Sequence, residues 1–291
     1  MSELRKRMMR EMDLRNFAPK TKQAYTHAVA GLSDYYKRQP DKISQKEVED
    51  YLLYLKNERK LSFNTRNVAA SAFKFFYNTT LKDESCTIDL PPRKGPTKLP
   101  VVLSHKEVMR IIEAPDNLKH RVLLMTIYSG GLRVSEAVSL KPAHIDSERM
   151  LIRVEDSKGA KDRYTLLSKK LLEELRLYWK VCKPKHWLFP STRNPEHSID
   201  TSTAQKIFYN AKKKAGITKG NGIHVLRHCF ATHLLEAGYD VRRIQIMMGH
   251  TALSSTLIYL HVTQSGLAKI TSPLDLPELD EEEESDDKSK D

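Results

Sequence analysis

Cysteine is scarce in this chain: Cys86, Cys182 and Cys229 are the only three in 291 residues, and no two form a CxxC pair. An odd, scattered set excludes a disulfide framework and a thiolate zinc centre, and it fits a reducing cytoplasm. No run of about 18 apolar residues occurs, so nothing reads as a transmembrane helix and no membrane partner is expected. The N-terminal stretch MSELRKRMMREMDLR alternates charge and methionine without an apolar core, which does not read as a secretory signal. Repeats with a period of about 20–50 residues are absent. What is present is 40% hydrophobic and 30% charged residues, enough to bury a core, in a length that suits one large domain or two ordinary ones.

Charge is unevenly placed. The formal net is +12, yet Glu278 to Asp291 hold nine acidic residues and two lysines, a net of −7 that leaves +19 on the first 277 residues. A body that basic suits a polyanion such as DNA, because lysine and arginine on phosphates release condensed counterions. Solvated lysine faces would give the same charge, so composition makes DNA the favoured partner and no more.

Along the chain, apolar residues recur at helical spacing in 24–36, 48–55 and 68–77, and residues 1–90 read as a helical bundle. Pro19 with Thr21 opens one helix, Ser44 with Glu47 makes a capping box for the next, and a third begins near Ser62 or Asn64. PPRKGPTKLP (91–100) has four prolines, one glycine and three basic residues, and marks a linker over 91–104. Beyond it, Ser104 and Glu107 form another capping box. RVLLMTIYSGGLRVSEAVSL reads as a buried helix, a turn at Gly130-Gly131 and a second helix start. MLIRVED and RYTLLS flank SKGAKD as a β-hairpin, and the rest is mostly helical. A catalytic domain is expected over 105–276 and an acidic, disordered tail over 277–291. Trp179, Trp187 and Phe189 read as core.

Four segments place polar residues beside apolar helix: Gly131-Leu132-Arg133-Val134-Ser135-Glu136; Lys158-Gly159-Ala160-Lys161-Asp162-Arg163; His224-Val225-Leu226-Arg227-His228; and Gly249-His250 with Tyr259 nine residues on. In that order they resemble the tyrosine recombinases, the family of phage-type integrases, Xer recombinases and integron integrases. The resemblance spans residues 14–276. It implies a mainly α fold with a small antiparallel β-sheet: an N-terminal helical, SAM-like core-binding domain and an α/β catalytic domain, clamping DNA like a C.

The resemblance also implies the chemistry, with no metal, cofactor or ATP. Tyr259 attacks the phosphodiester to give a 3′-phosphotyrosine and a free 5′ hydroxyl. Arg133 and Arg227 stabilise charge on the nonbridging oxygens. Lys158 protonates the departing 5′ oxygen, with Lys161 as its competitor in the same hairpin. His224, one helical turn before Arg227, acts as general acid/base near the nucleophile, and His250 hydrogen-bonds the phosphate. Glu136 either orients Arg133 or is a plain surface glutamate. His228 and His233 read as helix packing or DNA contacts; no HExxH and no cysteine pair makes a metal site of them.

The flanks LPVVLSHKEVMRII and SPLDLPEL (272–279) resemble the integron branch. Between Trp187-Leu188-Phe189-Pro190 and Thr203, however, there is no room for that branch's additional helix, so duplex recombination sites are expected. The family implies a homo-tetramer on two DNA sites, acting in the cytoplasm on the nucleoid. Two alternatives are a DNA-binding regulator without catalysis and a type IB topoisomerase-like relaxing enzyme. The six-residue set opposes the first, and the N-terminal bundle with its close recombinase motifs opposes the second.

Overall fold

The computed structural model describes residues 3–83, 88, 100–155, 162–249, 254–257 and 259. The chain divides into two compact units, Met1–Thr97 and Lys98–Asp291. Most of the expected linker (91–99) and the whole acidic tail (277–291) lie outside the described residues. So do Lys158, Lys161 and His250.

The first unit is a helical bundle of α1 (Glu3–Leu14), α2 (Pro19–Tyr36), α3 (Gln45–Asn57) and α4 (Phe63–Lys74), the last running on as a π-helical segment, Phe75–Leu81. Its starts follow local chemistry. Pro19 sits in the first turn of α2, where its missing N–H costs nothing. Ser44 and Glu47 close a full capping box on α3, and the Ser62 hydroxyl accepts from the Thr65 amide to open α4. The helix α1 is not announced by the sequence. Its Met8 and Met12, one turn apart, bury their side chains in the cluster that holds Leu32 and Phe76, while the charged residues around them face out.

The second unit starts with α5 (His105–Glu113), capped by the Ser104–Glu107 box, then α6 (Leu118–Ser129) and the short α7 (Val134–Val138). A three-stranded antiparallel sheet follows in the order β1 (Ile145–Asp146), β2 (Leu151–Val154), β3 (Arg163–Leu166). The chain then forms α8 (Lys169–Cys182), α9 (Thr201–Lys214), α10 (His224–Glu236), α11 (Val241–Met248) and α12 (Ser254–Leu257). The expected hairpin is present in its two strands, with Val154 opposite Arg163 and Ile152 opposite Thr165. Ile152, Val154 and Thr165 turn into the core and Arg153 and Tyr164 turn out, the period-two alternation of a half-buried strand.

Two helices are buried along most of their length, α6 through Val122–Ile127 and α10 through Val225–Thr232 except for the half-buried His228, and they pack on each other. A helix apolar all round belongs at the centre of a fold. Each fully buried Leu, Ile or Phe there contributes about 1.5–3 kcal/mol. The tryptophan expectation needs correction. Phe189 is fully buried, but Trp179 is 46% exposed and Trp187 is only half-buried, its indole N–H donating to the Glu196 carbonyl. Helix α8 buries the stripe Leu171, Leu175, Tyr178, which turns Trp179 outward. Among the described residues no helix is long and apolar enough to cross a membrane.

Candidate active site

The first residue of the site is set by a turn. Helix α6 ends at Gly130-Gly131, and Gly131 takes φ +59°, a left-handed conformation in which a side chain is strained. Space forbids one as well: a Cβ there would lie 2.3 Å from the Phe230 ring. Two residues on, Arg133 is the N-cap of α7, and its own backbone N–H donates to Glu136 Oε2 at 2.7 Å. Gly131→Ala is therefore expected to destabilise the protein by about 2–4 kcal/mol through backbone strain and overpacking. Urea unfolding reads this directly, and a loss under about 1 kcal/mol would mean that the turn relaxes freely.

Helix α10 supplies the next three residues. Its start has no side-chain cap of its own, and the Ile223 amide instead donates to Gln205 Oε1 of α9 at 3.0 Å. The loop before it is held by the buried Lys212, whose ammonium donates to the carbonyls of Thr218 (2.8 Å) and Gly220 (2.6 Å). His224 thus stands at the exposed tip, Arg227 one turn on faces inward at 1% exposure, and His228 lies between them in depth.

Glu136 is the centre of the charged cluster. Its carboxylate is buried and takes both guanidinium arms of Arg163, at 2.9 and 2.8 Å. It also accepts from Arg133 Nη1 at 2.7 Å and lies 3.7 Å from Arg227 Nη1. Burial pushes its pKa up, but the hydrogen bonds and charge of Arg163, with those of Arg133, outweigh this and hold it below the ordinary glutamate value. Glu136 is therefore no surface residue; of the two readings open in the sequence, it orients Arg133.

The same three arginines meet a second acceptor. The last turn of α11 leaves carbonyls that the helix cannot satisfy, at the negative end of its dipole. Arg163 Nε donates to Met247 O (2.8 Å), Arg227 Nη2 to Met248 O (2.6 Å), and Arg133 Nη2 to Gly249 O (3.3 Å). Gly249 ends that helix at φ +62°, and a Cβ there would come within 2.8 Å of Arg163 Cδ. Arg227 Nη1 also donates to Gly131 O at 2.6 Å, which ties the α6–α7 turn to α10. Burial first, then the charge of Arg133, lowers the Arg227 pKa to about 10, so it stays protonated at neutral pH. Three guanidinium charges against one carboxylate leave an excess of positive charge, the balance that an anionic phosphate requires.

Tyr259 is buried beside this cluster, and its hydroxyl lies 2.9 Å from His228 Nδ1. Burial raises the phenol pKa, a shift that Arg227 and Arg133 only partly offset. The His228 ring is pushed down to about 4 by burial, then by His224 and Arg227. His224 packs edge-on to His228 with ring centres 4.7 Å apart, and its pKa is also lowered, by the surrounding protein and by Arg227 and Arg133. Arg133, His224, Arg227 and Tyr259 thus come together from three separate stretches of chain.

Two residues of the cluster had no assigned role in the sequence. Arg163 stood inside the KGAKDR motif, and its position opening β3 was the available signal. His228 was read as packing or a DNA contact, and only the approach of Tyr259 reveals its partner. His233 is structural: Nε2 faces the Leu103 carbonyl at 2.9 Å, which fixes the tautomer so that Nδ1 accepts from the Tyr128 hydroxyl at 2.8 Å. Among the described residues no three His, Cys, Asp or Glu form a metal-binding group.

Residues 101–265 match the phage integrase family, and residues 4–86 match the phage integrase N-terminal SAM-like domain. Over 277 residues, 95% of this chain and 90% of the relative, the sequence is 42% identical to a Sinorhizobium fredii protein provisionally named integrase/recombinase y4qK. It is 33% identical over 264 residues to tyrosine recombinase XerA of Thermococcus kodakarensis, covering 89% of this chain and 90% of that one. The solved Tn1549 transposon integrase, in complex with circular intermediate DNA, aligns with a TM-score of 0.72 at 20% identity over 88% of this chain and 94% of that chain, a likeness of fold.

Proposed function

The chain belongs to the phage integrase family of tyrosine recombinases and is a site-specific recombinase; from that premise we propose that it cuts and rejoins duplex DNA through a 3′-phosphotyrosine bond to Tyr259. The observation that carries this is the Tyr259 hydroxyl, hydrogen-bonded at 2.9 Å to a histidine on the helix that brings Arg227 into the arginine cluster. A phenol of ordinary pKa near 10 is a weak nucleophile at neutral pH, and here burial weakens it further. Catalysis then rests on charge stabilisation at the phosphate and on proton transfer at both oxygens.

In the course we propose, the scissile phosphate enters beside Arg133 and Arg227. Their remaining N–H groups neutralise the nonbridging oxygens as the phosphorus becomes pentacoordinate. Glu136 and the α11 carbonyls hold both forks in place, so no reorganisation is needed when the charge develops. Tyr259 attacks, Lys158 (or Lys161) gives a proton to the departing 5′ oxygen, His250 hydrogen-bonds the phosphate, and His224 serves acid/base chemistry on the nucleophile's side. The energy of the broken bond is kept in the phosphotyrosine, and a 5′ hydroxyl from the same or a partner strand reverses the step.

The proposed partners are double-stranded recombination sites and three further copies of the chain, forming a homo-tetramer on two sites in the cytoplasm, at the nucleoid. The proposed domains are a DNA-binding bundle over 1–90, a linker over 91–104, a catalytic domain over 105–276 and the tail over 277–291. The test is trapping on nicked duplexes that release the cut strand. Wild type is expected to give a denaturation-resistant protein–DNA adduct without added metal, and Tyr259→Phe none. Specific binding without any adduct would instead favour a regulator.

A further inference from the structure

The site contains a histidine that the proposed mechanism does not use. Among the described residues, His228 is in hydrogen-bond contact with the Tyr259 hydroxyl, whereas His224 meets this pair through its ring contact with His228. We propose that His228 is the group that receives the Tyr259 proton during strand cleavage, with His224, packed against its ring, as its acid/base neighbour on the nucleophile's side. The inference rests on Tyr259 being the nucleophile.

The direction of the hydrogen bond supports it. The phenol is kept protonated by burial, and the His228 ring is kept neutral by burial and by its cationic and imidazole neighbours. Between two neutral groups the phenol is the stronger donor and the imidazole nitrogen the stronger acceptor, so O–H points at Nδ1 and the ring hydrogen sits on Nε2. The proton path is therefore already in place before DNA arrives. Among the described residues, the groups facing the ring are His224 and Arg227 from its own helix and Tyr259 from the C-terminal stretch. An entering phosphate adds negative charge to this side of the cluster, which favours the imidazolium as it forms.

The step balances. The Tyr259 O–H bond breaks and its proton passes to His228 Nδ1. The phenolic oxygen bonds to phosphorus, the bond from phosphorus to the 5′ oxygen breaks, and that oxygen leaves with a proton from the hairpin lysine. In rejoining, His228 returns its proton to the departing phenolate. Spacing explains why Arg227 and His228 are sequence neighbours: adjacent helical positions diverge by about 100°, so one side chain points at the α11 carbonyls while the next points at the tyrosine.

The experiment measures single-turnover adduct formation by the full-length protein. Its substrates are nicked duplexes selected from a random-sequence pool for binding to Tyr259→Phe. A wild-type adduct that Tyr259→Phe lacks establishes the nucleophile independently. His228→Ala is then expected to form adduct about 10²–10⁴-fold more slowly, at unchanged DNA affinity and melting temperature, and to regain rate as free imidazole is added. His228→Asn keeps an acceptor oxygen near the Nδ1 position but cannot carry the proton, and should be as slow as His228→Ala. Near-wild-type rates in either variant overturn the proposal, as does a slow His228→Ala that imidazole leaves unchanged while it restores His224→Ala. Failure of wild type itself to form an adduct would remove Tyr259 as nucleophile, and the proposal with it.

Discussion

Glu136→Gln is expected to cost about 3–5 kcal/mol of stability, the range seen when one partner of a buried ion cluster is removed, and to abolish most strand cleavage. The side chain is only 5% exposed and meets three guanidinium groups and the Arg133 amide. Glutamine keeps the shape but removes the charge, and it turns one acceptor oxygen into an NH₂ that faces a guanidinium donor. Arg163 and Arg227, both buried, then lose their counter-charge, and Arg133 loses the contact that aims it. The pH dependence has a definite sign. A carboxyl whose folded pKa lies below its unfolded value contributes stability above the unfolded value and loses it as pH falls through the folded one. The stability gap between wild type and Glu136→Gln should therefore stay constant from pH 8 down to about 5 and close only below the ordinary glutamate range near 4.3. Chemical denaturation of both proteins across that range checks this. A gap that closes between pH 7 and 5 would mean that burial, not the arginines, dominates Glu136.

What the sequence made legible was local. The capping boxes at Ser44 and Ser104 depend on residues three apart, and both helices begin where those pairs predict. His224 and Arg227 share a helix for the same reason, and the strands flanking residues 156–161 follow from alternation. The contacts that hold the cluster together were not legible. Among the partners of Arg163 and Arg227 are carbonyls at Met247 and Met248, and a backbone acceptor leaves no mark in residue type. Glu136 looked equally suited to the surface because its burial is created by β3 and α10, distant in the chain. His228 could be read only as packing or a DNA contact, since its partner is thirty-one positions away. Likewise α1 hid its apolar face in two methionines among charges, and Trp179 looked like core because its bulk says nothing of which side of α8 it occupies.

Arg227→Lys is expected to slow adduct formation by about 10²–10³-fold or more, the loss typical of removing one transition-state donor, while overall DNA affinity changes only a few-fold. In the proposed mechanism Arg227 divides its guanidinium between structure and chemistry. Nη1 and Nη2 are pinned to Gly131 O and Met248 O, both at 2.6 Å, and so hold a planar fork beside Glu136. A lysine brings one nitrogen to a position where two diverging carbonyls and a phosphate all compete for it, and it has no fork to satisfy them together. Its ammonium is also more strongly hydrated, so burial at 1% exposure pulls its pKa down more readily than that of a guanidinium. Charge is then weakest when the pentacoordinate phosphate needs it most. With +19 on the first 277 residues, other basic residues are expected to carry most of the DNA affinity, so binding should survive while kcat falls. The split between the two readouts is the test: equal losses in binding and cleavage would make Arg227 a docking residue, and a rate near wild type would remove it from the transition state.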